Sequence, residues 1–300
     1  MSKILAELIE LLSLEKIEEN LYRGQSQDPG WGTVYGGQVI GQALFAALNT
    51  VPQDRQVHSL HAYFLRPGDV SRPIVYDVDR TRDGGSFTTR HVTAIQAGHP
   101  IFDMSASFQK AEGGFTHQEP MPEGVPPPEE VPTDAERYGR QIDAFPEFLR
   151  ERVLAERPIE VRVVDEPDVF YRTPAPPVRH VWFRAAGELP DTPVLHQAML
   201  AYASDYGFLT AALKPHGVSW LTPTMQVASI DHAVWFHAPF RADEWLLHQP
   251  PGGQRSRARA GPHLHPRRRA GGHHRAGRPD APARLTRVAS GPAPGQHPPP

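Results

Sequence analysis

The sequence predicts an α+β protein in which one unit, a long helix wrapped by an antiparallel sheet, occurs twice with its two sheets side by side. Two observations carry this. A small-residue helix, YGGQVIGQALFAALNTV (Tyr35 to Val51), is followed by four runs that alternate like strands. The same order of helix and long strand then returns after residue 165, where DHAVWFHAP (Asp231 to Pro239) repeats the pattern of LHAYFLRP (Leu60 to Pro67). Both share His-Ala, then aromatic and aliphatic residues, a basic residue and Pro, with a period far longer than a solenoid's.

The elements follow in order. In residues 1–20, Ser2 caps an amphipathic helix whose apolar positions Leu5, Leu8, Ile9 and Leu12 recur at helical spacing. Residues 21–112 form the first unit. Gly36 and Gly37 open its helix, and the small residues along that helix suit close contact with another surface. Its strands are Val57–Pro67, Arg72–Gly84, Ser86–Gly98 and Ile101–Lys110, with turns at Pro67-Gly68, Asp83-Gly84 and Gly98-His99. Residues 113–165, Pro-rich and then charged, read as a connector crossing the surface. Residues 166–248 form the second unit: the strand HVWFRAAG, a helix from Val194 to Leu213, a strand-like stretch from Met225 to Phe240, and EWLLHQ. This unit ends two strands early.

Composition sets limits on chemistry. The 300 residues contain no Cys, which removes disulfides, thiolate nucleophiles and Cys-ligated zinc. No apolar run reaches the ~18 residues of a membrane span, and Glu7, Glu10 and Glu15 make the N-terminus unlike a secretory signal. A cytoplasmic protein without membrane insertion is the expectation. The net charge of −3 hides a split: residues 251–300 hold ten Arg and a single acid, Asp280, so the remainder is strongly acidic.

That tail, residues 249–300, is rich in Arg, Pro and Gly, with no aromatic residue and only Leu264, Leu285 and Val288 as large aliphatics. Such a composition cannot offset the entropy of ordering it, and it reads as disordered. A basic arm for nucleic acid and a His cluster (His263, His265, His273, His274) are two functional readings. A third is a shifted reading frame. Back-translating Gly261 to Thr286 and reading one nucleotide later permits GHIYTRDGGLVATIAQEGLMRPPA, followed by a TGA stop across Leu285 and Thr286. The fixed first base of each shifted codon fits at every position. The peptide alternates, turns at Asp-Gly and alternates again, a hairpin signature. We read the tail as a frame-shifted gene end, with no nucleic-acid partner and no metal.

The strings YRGQSQDPGWGTVYGGQVIGQAL and HSLHAYFLRPGD, and the later LAYASDYGFL and IDHAVWFHAPFRADEWLL, resemble the acyl-CoA thioesterase II family over roughly residues 8–248. The shifted-frame peptide resembles that family's C-terminus. The resemblance implies a double hot-dog fold, hydrolysis of acyl-CoA to free fatty acid and CoA by activated water, no cofactor, and association as homo-oligomers.

Thioester hydrolysis needs a base for water and donors for the developing oxyanion. Asp205 lies in the apolar, small-residue stretch Ala201–Gly207. From the residues alone, a solvent-facing polar position and a catalytic carboxylate stand level. The resemblance places the family's water-activating Asp at Asp205. It places a hydroxyl, usually Thr, at Ser229, where Ser keeps the donor and acceptor but turns more freely at χ1. The family's third group, a Gln in an A-Q-E-G segment, exists only in the shifted frame, its codon straddling Ala276 and Gly277. Gln254 and Gln296 lie in no matching motif. Loss of that Gln predicts impaired turnover. Gly36 and Gly37 read equally as N–H donors to an acyl carbonyl or as a tight turn. Arg80, Arg82 and Arg90 read equally as phosphate ligands or a solvated strand face, and His61 and His232 as packing or hydrogen-bonding residues of the sheet. The alternatives to hydrolysis are an acyl-CoA hydratase or dehydratase, and a non-catalytic acyl-CoA or nucleic-acid binder.

Overall fold

The computed structural model describes residues 1–113, 117–118, 120–164, 168–170, 173–219, 222, 228–249 and 284–285. Helix α1 (Lys3–Leu12) starts where Ser2 Oγ accepts the Leu5 N–H at 3.4 Å. Its buried stripe of Leu5, Leu8 and Leu12 seats it on the core, each Leu contributing about 1.5–3 kcal/mol. Strands β1 (Glu15–Glu18) and β2 (Leu21–Gly24) form a short hairpin turned at Asn20, φ 64°.

Helix α2 (Gly36–Leu48) is buried along almost all its length, as a helix running through the middle of a wrapped sheet must be. Around it run β3 (Arg55–Phe64), β4 (Ile74–Asp83), β5 (Phe87–Gln96) and β6 (His99–Lys110), all antiparallel. The β5–β6 turn is Ala97-Gly98, both residues at positive φ (49° and 78°), the two-residue geometry that suits the strands' twist.

The connector contains α3 (Asp134–Gly139), which opens on a capping box between Thr133 and Glu136, and α4 (Glu147–Leu154). It also contains β7 (Ile159–Val163), which pairs with β8 (Val181–Ala185). The expected connector boundary at 165 therefore swallowed a strand of the second unit. Ile159, Val161 and Val163 alternate into the core and draw it into the sheet.

The expected helix from Val194 to Leu213 divides in two. Helix α5 (Pro193–Ala203) stops where Ser204 Oγ bonds back to Ala201 O at 2.7 Å. Gly207 then turns left-handed at φ 74° before α6 (Phe208–Leu213) begins. Among the described residues of the strand-like run from Met225 to Phe240, only β9 (Asp231–Trp235) is strand; residues 223–227 lie outside the described residues. Strand β10 (Leu246–His248) pairs with β8, and a two-residue strand β11 (Arg284–Leu285) lies parallel to β10. The rest of the tail lies outside the described residues.

The two units join at one seam. The larger sheet runs β1-β2-β4-β5-β6-β3-β9, so the long strands of the two units pair. Their register sets Ala62 opposite His232 and His61 opposite Ala233, the repeated His-Ala dipeptides facing head to tail. On the inner face α2 packs on α5. A Cβ on Gly41 would sit 3.1 Å from Ala198 O, and one on Gly37 would strike Tyr202 O. The small residues of α2 are what permit this approach.

Candidate functional site

The seam brings the N-terminal end of α2 to the C-terminal end of α5, and there the expected site residues meet. Asp205 follows Ser204 immediately beyond α5. The break in the helix turns its carboxyl inward, where the side chain is 11% exposed. Ser229, just before β9, donates its hydroxyl to Asp205 Oδ1 at 3.4 Å. The Gly37 N–H of the other unit also donates to the Asp205 carboxylate. Gly36 allows this approach, since a Cβ there would lie 2.6 Å from Asp205 Oδ2.

Burial dominates the electrostatics. Desolvation raises the Asp205 carboxyl from 3.8 to about 7, against the opposing pull of the Ser229 hydroxyl and the Gly37 N–H. A carboxyl poised there exchanges its proton readily at neutral pH, as a general base must. Tyr35, half-buried beside Asp205, is raised well above 10, mainly by desolvation and then by the Asp205 charge, so it stays a neutral phenol. Its hydroxyl donates to Tyr202 O at 3.2 Å.

A second layer lies behind the carboxyl. His232 is buried in the sheet, and burial first, then the His248 and His61 charges, lowers its ring to about 3. It is therefore neutral at any pH of interest. The Ser204 hydroxyl spends its proton on Ala201 O, so at 2.8 Å it accepts from His232 Nε2–H. That fixes the tautomer: Nδ1 carries a lone pair, 3.9 Å from Asp205 Oδ1. His232 is thus a hydrogen-bonding residue of the sheet, as expected, while His61 lies on the exposed outer face, 3.5 Å from Asp231. His196 is also buried, its Nδ1 accepting the Ala242 N–H at 3.1 Å.

The site opens into a cavity of about 1230 Å³. Val39, Phe64, Phe102, Val181, Phe183 and Leu200 supply an apolar wall, and Arg66, Arg152 and Arg157 bring positive charge to it. This suits a ligand with an apolar chain and an anionic head.

Two expectations need correction. Gly37 does present its N–H to a ligand-like group, but that group is the Asp205 carboxylate and not a free position for an acyl carbonyl. Arg90 is neither a phosphate ligand nor a solvated residue. It is fully buried, with Nε on Thr50 Oγ1 at 2.8 Å and Nη2 on Thr50 O at 3.0 Å and Asp83 Oδ1 at 2.6 Å. Arg80 bonds Thr50 O at 3.0 Å and pairs with Glu19. Sequence reasoning missed the Ser204–His232 link and the cavity's arginines. Its one available signal was the Ser-Asp dipeptide ending a small-residue helix. Gln254 and Gln296 lie outside the described residues.

A near-neutral carboxyl beside a hydroxyl, at the foot of an apolar cavity between two helix-wrapped sheets, is equipment for turning water on an acyl group. Fold and site together define the class of hot-dog acyl hydrolases. Comparison with known proteins agrees with that class. Residues 148–265 match the family model described as acyl-CoA thioesterase, and residues 27–109 match that of the acyl-CoA thioesterase N-terminal domain. Acyl-CoA thioesterase 2 of Haemophilus influenzae is 45% identical over 248 residues, covering 83% of this chain and 86% of that protein. The crystal structure of an acyl-CoA thioesterase II from Mycobacterium marinum superposes with a TM-score of 0.62 at 43% identity, covering 81% of this chain and 84% of that one. A hot-dog-fold protein from Alicyclobacillus acidocaldarius, 18% identical with a TM-score of 0.60 and covering 78% and 79% of the two chains, shares the fold. The chain belongs to the acyl-CoA thioesterase family; it is a thioester hydrolase acting on acyl-CoA. Among the described residues, no helix is long and apolar enough to cross a membrane.

Proposed function

We propose that Asp205 and Ser229 are the catalytic residues of this chain and that fatty acyl-CoA is its substrate. The observation that supports this most directly is the buried Asp205 carboxyl, raised to about 7 and touching Ser229 at the foot of the apolar cavity. Ionised Asp205 takes a proton from water while Ser229 holds the water's oxygen. The water oxygen bonds to the thioester carbonyl carbon, giving a tetrahedral oxyanion. Collapse breaks the carbon–sulfur bond, and the proton on Asp205 passes to the departing thiolate, leaving free acid and CoA thiol. The acyl chain lies along Phe64, Phe102 and Phe183, and the arginines meet the phosphates.

A hydratase or dehydratase needs an acid–base group beside the acyl Cα and Cβ. The nearby histidines do not serve it, since burial keeps His232 neutral with Nε2 bonded to Ser204, and His196 Nδ1 accepts the Ala242 N–H. The reading carries two further proposals: the chain works in the cytoplasm, and it assembles as a homo-oligomer. The chain as translated lacks the Gln implied by the family resemblance, so its turnover sits about 10²–10⁴-fold below that of a frame-restored protein. The test is thiol release from a series of acyl-CoAs by both versions, alongside Asp205→Asn. Equal turnover in all three would remove Asp205 and the Gln from the mechanism.

A further inference from the structure

The cavity that reaches Asp205 carries a feature at its rim that the chemistry of the thioester does not use. Gln27, Asp28, Trp31 and Val34, from the segment leading into α2, line it, and so does Arg152 of α4. The segment is a fixed turn. Asp28 Oδ1 accepts the N–H groups of Gly30, Trp31 and Gly32 at 2.7, 2.9 and 3.0 Å. Gly30 and Gly32 take φ values of 98° and 73°, which only glycine adopts without strain. Val34 N bonds to Gly68 O at 3.0 Å and pins the far end. From this turn Trp31 stands 52% exposed.

A single exposed apolar residue is ordinary. The neighbour makes this one different. The Arg152 guanidinium lies over the Trp31 ring, 5.1 Å from its centre. Gly30 makes room for it, since a Cβ there would come 2.6 Å from Arg152 Nε. Arg152 faces the Asp28 charge at longer range, and among the described residues it makes no hydrogen bond or ion pair, so its N–H fork has donors to offer. An indole and a guanidinium side by side present a flat π surface and a bidentate phosphate donor. That is the complement of a phosphorylated purine nucleoside, whose flat base stacks on aromatic rings while its phosphates seek arginine.

We infer that Trp31 and Arg152 are the subsite for the nucleotide end of CoA, the adenine stacking on Trp31 and a phosphate meeting Arg152; this rests on the reading that the thioester is cleaved at Asp205. The reach agrees. Trp31 stands six residues before Gly37, whose N–H meets the Asp205 carboxylate, so the backbone allows about 22 Å at most between the two points. In CoA a pantetheine arm and a pyrophosphate separate the sulfur from the purine by a length of that order. With the thioester at Asp205 and the purine on Trp31, the arm runs along Val34 and Tyr35, and Arg66 and Arg157 of the same cavity remain for the other phosphates. One segment thus serves both ends of one substrate. Stacking so far from the reacting carbon holds substrate and transition state alike, so it acts on KM and not on kcat.

The experiment measures binding by calorimetry on the full chain, Trp31→Ala and Trp31→Phe. The two ligands are a dodecyl-CoA thioether, which cannot be hydrolysed, and the dodecyl-pantetheine thioether, the same molecule without its nucleotide. Trp31→Ala should bind the CoA thioether about tenfold or more weakly than the parent and the pantetheine thioether equally well, while Trp31→Phe stays within about threefold for both. CoA should also quench a part of the tryptophan fluorescence that Trp31→Phe lacks. A Trp31→Ala chain that holds the CoA thioether as tightly as the parent, or loses both ligands to the same extent, overturns the subsite. A parent that binds neither ligand overturns it together with the fatty acyl-CoA reading. None of these outcomes depends on turnover, so a failure of Asp205 as the base would appear in thiol release while the stacking difference stood.

Discussion

The two units end their central helices in opposite ways. Helix α2 runs into Thr50, whose hydroxyl and carbonyl are both taken by the buried Arg90, itself paired with Asp83. Helix α5 runs into Asp205, which meets one hydroxyl, one N–H from the other unit, and a cavity. One end is closed by a satisfied cation. The other keeps a desolvated carboxyl whose proton is loosely held. A common backbone frame thus yields structure at one end and the proposed chemistry at the other, and the deciding choice is the residue eight positions after the Gln of the Gln-Ala pair in each helix (Gln42-Ala43, Gln197-Ala198).

Breaking the reactive end has the largest effect. Asp205→Asn should lower turnover about 10³-fold or more in the frame-restored protein, measured as thiol release. The same change should stabilise the fold. The carboxyl's folded value of about 7 exceeds its unfolded value near 3.8, so its contribution is complete below the unfolded value and is lost as pH rises through 7. Asn avoids that loss, by up to about 4 kcal/mol at pH 8 and far less at pH 4. A variant that melts with the parent at both pH values would show that the carboxyl is hydrated.

At the seam, Gly37→Ala should cost about 2–4 kcal/mol in chemical denaturation, because the added Cβ meets backbone, Tyr202 O, as well as the Tyr35 ring. Gly85→Ala, with open space around it, is the control and should change stability little. At the closed end, Arg90→Met should destabilise by about 2–3 kcal/mol, leaving Asp83 and the Thr50 hydroxyl without that donor. It should leave the pH–rate profile where it was. A moved profile would mean that the two helix ends communicate.

The profile itself sharpens the contrast. Turnover should rise about tenfold per pH unit below 7 and flatten above it, following ionisation of Asp205. The smallest effect belongs to Ser229→Thr, which keeps the hydroxyl and restricts χ1. A change within about threefold is expected, whereas Ser229→Ala should lose about tenfold.

Much of this frame was legible in the chain. The alternation of β3 to β6, the small-residue helix and the doubled His-Ala motif each express a local period, and each appears where it was expected. What escaped depends on distant partners. Arg90 reads as a surface residue because Thr50, which neutralises its burial cost, lies 40 residues away. The end of α5 was hidden because Ser204, Asp205 and Tyr206 are tolerable in a helix, and only the left-handed Gly207 and the Ser204 back-bond stop it. Strand β7 carried its signal in Ile159, Val161 and Val163, but charged neighbours obscured it. Asp205 and Ser229 were named from family resemblance; that Gly37 of the first unit meets the Asp205 carboxyl follows from the seam, which no local pattern encodes.

The donor from Gly37 and the carboxyl of Asp205 belong to different units, so the proposed centre is the joint property of two polypeptide halves. Severing the chain in the segment between them and co-expressing the pieces should yield activity that scales with the product of the two concentrations and vanishes for either piece alone. It also sets the stoichiometry. With the Thr50 end closed, the proposed mechanism has one centre for two fold units, and a tight substrate analogue should saturate each intact chain at a single equivalent.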